Sequence, residues 1–175
     1  MNPPLQQTFF CKPCHLPRCL TCFSIRTTST YTSTTYNHTH KLKSHLTCHS
    51  SNLIYLIQCQ RCSLQYIGET STTLRERLNN HRSCIKLNKT LRDKNPISIH
   101  FNSPHHTFSD LSIIPLETLI DNRKSIRLER ETYFQLLLGT VFPRGLNHFP
   151  VEQYETYKDL VISSKIQILK CNLLF

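Results

Sequence analysis

The sequence predicts an α+β fold, a small three-stranded and mainly antiparallel sheet flanked by helices, preceded by a Cys-rich segment. Three observations point there. Two short apolar runs, "LIYLI" from Leu53 and "LQYI" from Leu64, flank a turn around Arg61 to Ser63, as in a β-hairpin. Two longer stretches carry apolar residues at helical spacing behind residues suited to N-caps. Five of the nine cysteines fall within the first 50 residues, where aliphatic residues are few.

The elements follow in order. Residues 1–50 include "TTSTYTSTTYNHTHK", which has weak periodicity and cannot bury a core of its own. After the hairpin, "STTLRERLNNHRSCIKL" offers Ser71, Thr72 and Thr73 as caps and places Leu74, Leu78 and Ile85 on one helical face. "NPISIHF" reads as a short helix after Pro96, and "FSDLSIIPLETL" as a third strand that Pro115 assigns to a sheet edge. A second long helix runs from a cap at Asp121 or Asn122 to a stop at Gly139. Three regions are therefore expected: a Cys-rich linker over 1–50, the folded domain over 51–149, and a helical tail over 150–175.

A chain of 175 residues accommodates one modest domain with appendages and excludes two large ones. Lys and Arg outnumber Asp and Glu 21 to 11, for a formal net charge of +10, so an acidic polymer is the natural partner and nucleic acid the first of that class. The longest apolar runs are too short for a bilayer, so no membrane association is expected. No secretory leader is recognisable, and the expectation is a soluble intracellular protein. In a reducing compartment, dense cysteine pairs are more often thiolate ligands than disulfides.

On the first helix Arg75, Arg82, Lys86 and Lys89 share a face roughly opposite the apolar stripe, as a nucleic-acid contact or simply a solvated surface. Arg77 and His81 lie one turn apart at the margin of that stripe, where a cation pair needs an anion. The plainer reading of His81 is a structural histidine bonded to backbone. Glu129 and Glu131 are two residues apart and point roughly 200° from each other, so they cannot share an ion. No stretch supplies the clustered carboxylates of a two-metal nuclease, and if the chain cuts nucleic acid, one carboxylate must suffice. A plainer fate for Glu131 is a surface ion pair with Arg127. His100, near Asn102, His105 and His106, reads as part of a polar loop.

Cys11, Cys14, Cys19 and Cys22 are spaced C-x2-C-x4-C-x2-C, followed by Cys48 and by Cys59 and Cys62 within the hairpin. Two thiolates at C-x2-C spacing suit one tetrahedral Zn²⁺. The spacing leaves the ligand set open, with a second set available from Cys48, Cys59 and Cys62 or from His38, His40 and His45. Cys84 and Cys171 read as plain thiols.

Taken in order, Leu53-Ile54-Tyr55, Tyr66-Ile67-Gly68, Arg77, His81, Glu131 and Asn147 resemble the GIY-YIG endonuclease domain over roughly residues 52–148. The wording "QYIGET", "LRERLNNHR", "ISIHFN" and "FPRGLN" is most similar to the endonucleases of Penelope-like retroelements, which also carry a Cys-rich linker. Leu53 replaces the first glycine of the family's name. The resemblance implies a DNA endonuclease that nicks a target for a retroelement; the alternatives are a structure-specific repair nuclease or a non-catalytic zinc-bearing remnant. It implies Tyr55 as activator of water, its pKa drawn down by the field of Arg77, His81 and the metal, Tyr66 as the group that positions phosphate or water, Asn147 as a hydrogen-bonding neighbour, and Glu131 as the protein ligand of Mg²⁺ or Mn²⁺. It favours Cys14, Cys19, Cys22 and Cys48 as a Zn²⁺ set, a reverse transcriptase module as partner, and a nuclear location.

Overall fold

A computed structural model describes residues 8–87 and 95–148. Strands β1 (Thr30–Thr32) and β2 (Thr39–Lys41) form a small hairpin, and β3 (Ser51–Cys59), β4 (Gln65–Thr73) and β5 (Leu111–Thr118) form the main sheet. The helices are α1 (Leu74–Lys86), α2 (Pro96–Phe101) and α3 (Lys124–Leu138). The main sheet has the order β4-β3-β5 and both pairings are antiparallel, as the sequence predicts.

The continuous apolar run of β3 follows from its central place, covered on both faces. Leu53, Tyr55, Ile57 and Cys59 face Leu74, Leu78 and Ile85 of α1 and Ile97 and Phe101 of α2. Ile54 and Leu56 turn the other way, onto Phe134 and Leu138 of α3 and onto Tyr31, Leu42 and Leu46. The Ser/Thr-rich segment thus shares the core of the main sheet. Its hydroxyls have a second use: Ser33 Oγ donates to the carbonyl of Leu138 at 2.7 Å and Thr35 Oγ1 to that of Gly139 at 3.0 Å. These are carbonyls that the end of α3 leaves without helical partners.

Of the three candidate caps on α1, Thr73 fills the position. Its hydroxyl accepts from the Glu76 N–H at 3.2 Å, and the Glu76 carboxylate accepts from the Thr73 N–H at 3.0 Å, a capping box worth about 1 kcal/mol. That start turns Arg77 and His81 toward the sheet. Pro115 sits on edge strand β5 opposite Tyr55, beside an irregularity in the register between Ile54 and Tyr55. The start of α3 differs from expectation. Arg123 is the N-cap, and Asp121 instead bonds the Arg123 N–H at 2.9 Å, because its side chain is recruited into the loop and an ion pair with Arg123. Gly139 ends the helix as expected, at φ 64°. The predicted tail helix over 150–175, Lys89 and Cys171 lie outside the described residues. Among the described residues no helix is long and apolar enough to cross a membrane.

Candidate active site and metal centres

Tyr55 and Tyr66 lie on neighbouring strands and pack on the α1 face of the sheet. Tyr55 pairs in register with Gly68, and its ring crosses that residue: a Cβ on Gly68 would fall on the Tyr55 hydroxyl and stand 2.8 Å from the Tyr66 ring. Glycine is therefore needed at position 68 for steric room. Leu53, at the family's first glycine position, is wholly buried in the core and takes no part in the polar cluster.

The polar cluster has a defined hydrogen-bond direction. Arg77 Nε donates to Tyr55 Oη at 2.8 Å, and Tyr55 Oη lies 2.8 Å from His81 Nε2. Arginine has no acceptor, and among the described residues His81 Nε2 is the one acceptor within reach of the buried hydroxyl, which assigns the phenolic proton to His81 and the bare lone pair to Nε2. Burial, with the Arg77 charge adding to it, pushes His81 down to about 3, which keeps the imidazole neutral. The expectation that Arg77 and His81 draw the Tyr55 pKa down is reversed. Tyr55 is 0% exposed, and burial together with Tyr66 raises it beyond what Arg77 offsets. His81, expected at the margin of the helix stripe, is 2% exposed, and its imidazole bonds the Tyr55 side chain. Tyr66 is half-buried, and burial and Glu131 push it up to about 12 against the pull of Arg77.

Glu131 approaches from α3. Its expected pairing with Arg127 is not formed, because Arg127 Nε bonds Glu69 Oε2 at 2.6 Å and the same guanidinium holds Asn52 and Asn122. Arg130 turns to Glu117 at 2.8 Å. Among the described residues Glu131 has no ion pair, and burial and the neighbouring Glu69 raise its carboxyl to about 7 against the pull of Arg77. Glu69 is a site residue that the sequence alone does not single out; its place directly after Tyr66-Ile67-Gly68 is the available signal.

Asn147 is 3% exposed and its amide is spent on β4: Oδ1 accepts from the Ile67 N–H at 2.8 Å and from Thr140 Oγ1 at 2.7 Å, and Nδ2 donates to the Ile67 carbonyl at 2.8 Å. It fixes the backbone beside Tyr66. Arg82, expected on a basic face, reaches Leu20 O at 3.3 Å and stacks over Phe108, so it ties α1 to its neighbours. Arg75 is half-buried and Lys86 exposed.

Two further clusters gather metal-ligand atoms, each within 4.8 Å of one another. Cys14, Cys19, Cys22 and Cys48 form the first, the set favoured by the resemblance. There, burial of the Cys14 thiol is outweighed by hydrogen bonds from the Leu16 backbone and from Cys19, Cys22 and Cys48, which bring it down to about 6. The second joins Cys59 and Cys62 of the hairpin to His100 and His106. The sequence reads both histidines as a polar loop, whereas His100 lies in the last turn of α2 and only His106 in the loop that follows; spacing alone does not pair them with a turn some 40 residues earlier. His106 Nδ1 donates to the Pro104 carbonyl at 3.0 Å, which leaves Nε2 as a bare lone pair, buried and without a partner. That is the ligand state of a metal-binding histidine, oriented by its second nitrogen. All eight described cysteines are free of disulfides.

A model of the GIY-YIG catalytic domain matches residues 51–145. The chain belongs to the GIY-YIG family and is an endonuclease that hydrolyses DNA. Among solved structures, the catalytic domain of the homing endonuclease I-TevI is similar at 20% identity, covering 55% of this chain and 97% of that one, with a TM-score of 0.44. No curated protein matches the chain.

Proposed function

We propose that this endonuclease is metal-dependent and nicks target DNA on behalf of a Penelope-like retroelement, acting in the nucleus beside a reverse transcriptase module. The observation that carries the metal dependence is Glu131, a half-buried carboxylate without an ion-pair partner among the described residues, on a helix whose two neighbouring arginines are already engaged. Its donor chemistry fits a hard cation that keeps most of its waters. A bound Mg²⁺ or Mn²⁺ would supply charge neutralisation at the phosphate and at the leaving oxygen.

The chain's own groups do the rest. Arg77 moves from Tyr55 toward the scissile phosphate, which exposes the phenolic oxygen. Tyr55 then takes a proton from the attacking water as its own proton passes to His81 Nε2, leaving hydroxide and an imidazolium. The phosphate's negative charge stabilises that imidazolium, offsetting the burial that keeps His81 neutral in the free protein. Tyr66 positions the phosphate, and Asn147 holds the strand that carries Tyr66. Zn²⁺ at the two cysteine-containing clusters fits their donor sets; it would close the linker on itself through Cys14, Cys19, Cys22 and Cys48 and tie the hairpin to α2 and the loop after it through His100 and His106.

The test is incubation of supercoiled plasmid with purified protein and Mg²⁺ or Mn²⁺. Nicking that requires the added ion is the expected result; equal nicking in its absence would overturn the metal dependence.

A further inference from the structure

We propose that the surface formed by Phe9, Phe10, Lys12, Lys41, Lys43 and His45 is a second nucleic-acid site, a grip for a single-stranded polynucleotide outside the catalytic cluster. The choice of a polynucleotide rests on the nuclease reading; the surface itself stands on charge and geometry. All 11 carboxylate residues of the chain lie at Glu69 or beyond, so residues 1–68 carry Lys12, Arg18, Arg26, Lys41, Lys43 and Arg61 with no acid among them. Such a segment has no carboxylate of its own to neutralise its cations, and a polyphosphate backbone complements it.

The six residues are contiguous. Lys12 Nζ lies 5.6 Å from the centre of the Phe10 ring. Phe10 and Phe9 both meet the His45 ring edge-on, at 4.6 and 5.3 Å. Phe9 in turn lines, with Lys41 and Lys43, a cavity of about 270 Å³ completed by Thr8, Ser29, Thr30 and Leu42.

Lysines alone would suit a duplex equally well. Rings alternating with lysines suit a single strand, whose unpaired bases offer faces for stacking while its phosphates meet the cations. Phe10 is 36% exposed, and His45 and the three lysines are exposed. The grip is built on the α3 face of the sheet, where Phe9 and Leu42 pack, whereas Tyr55 faces α1. A strand held by both must cross the edge of the sheet.

The experiment uses the full chain carrying Glu131→Gln, without added Mg²⁺, and reads fluorescence anisotropy of labelled oligo-dT, oligo-U of the same length and a matched duplex over a salt series. Replacing Lys12, Lys41 and Lys43 together by Ser should reduce the salt slope on oligo-dT by about 2, at ~0.7 for each phosphate that no longer meets a lysine. Affinity for oligo-dT should fall tenfold or more, with a loss under threefold on the duplex. Phe10→Leu, which keeps an apolar side chain and removes the ring, should weaken oligo-dT binding about fivefold or more with its slope unchanged. The oligomer bound more tightly by the parent and released by the variants identifies DNA or RNA as the occupant. An unchanged slope and affinity, an equal loss on duplex, or an equal loss from Lys124→Ser on α3 would each overturn the grip. Because cleavage is not read, a chain that never nicks plasmid yet shows this lysine-dependent binding would defeat the metal-dependent nicking reading and leave the grip standing.

Discussion

On the α1 side of the site, the Tyr55 hydroxyl joins Arg77 Nε and His81 Nε2 where the phenol and imidazole are buried and the guanidinium is half-buried, whereas on the α3 side Glu131 stands without an ionic partner among the described residues. One wall is closed and the other open. The closed wall fixes geometry, since each group's direction is set by its neighbour. The open wall leaves a carboxylate whose environment favours neutralisation by a proton or a cation. The contrast assigns different consequences to mutations in the two walls.

The largest effect is expected on the open side. Glu131→Gln should reduce single-turnover nicking of supercoiled plasmid by a hundredfold or more with DNA binding nearly unchanged, as loss of a key electrostatic group does. Residual nicking above a tenth of the parental rate would remove Glu131 from the centre of the site. Tyr55→Phe, on the closed side, should slow the cleavage step at saturating protein by tenfold or more and lower stability by about 1–3 kcal/mol, because Arg77 Nε and His81 Nε2 lose their shared partner. Near-parental cleavage would make the tyrosine a packing residue only.

Metal content tests the framework that supports both walls. Elemental analysis of reduced protein should find about two Zn²⁺ per chain, with one missing in Cys22→Ser and the other in His106→Ala, and chelation should lower the melting temperature. A content that neither variant alters would disprove the ligand sets.

The two walls should also carry opposite pH signatures. His81 is held down to about 3, so between there and its ordinary 6.5 the unfolded chain binds more protons. Stability from that wall is present above 6.5 and is lost as pH falls through the window, at about 1.4 kcal/mol per unit. Glu131 is raised from 4.5 to about 7, so the native state holds the extra proton, and metal-free stability falls as pH rises through that window. Melting curves should show that His81→Gln removes the first slope and Glu131→Gln the second; the same residual slope in both variants would argue against the assignment. The smallest effect belongs to Arg75→Ala on the outer surface of α1, which should flatten the salt dependence of duplex binding by about one unit and leave the cleavage step alone.

The sequence by itself determined the local architecture: the hairpin around Cys59 and Cys62, the capped start of α1, the shared face of Arg77 and His81, and the strand carrying Pro115 at an edge. Each depends on periodicity or on groups a few residues apart, which the chain's order displays directly. Only the tertiary structure decided the rest. Arg127 finds Glu69 across 58 residues, Asn147 finds the Ile67 backbone across 80, and His100 meets Cys62 across 38. The ionisation of Tyr55, His81 and Glu131 likewise depends on what covers them, because burial is the leading cause of each shift, and burial is a property of the packed molecule rather than of the residue.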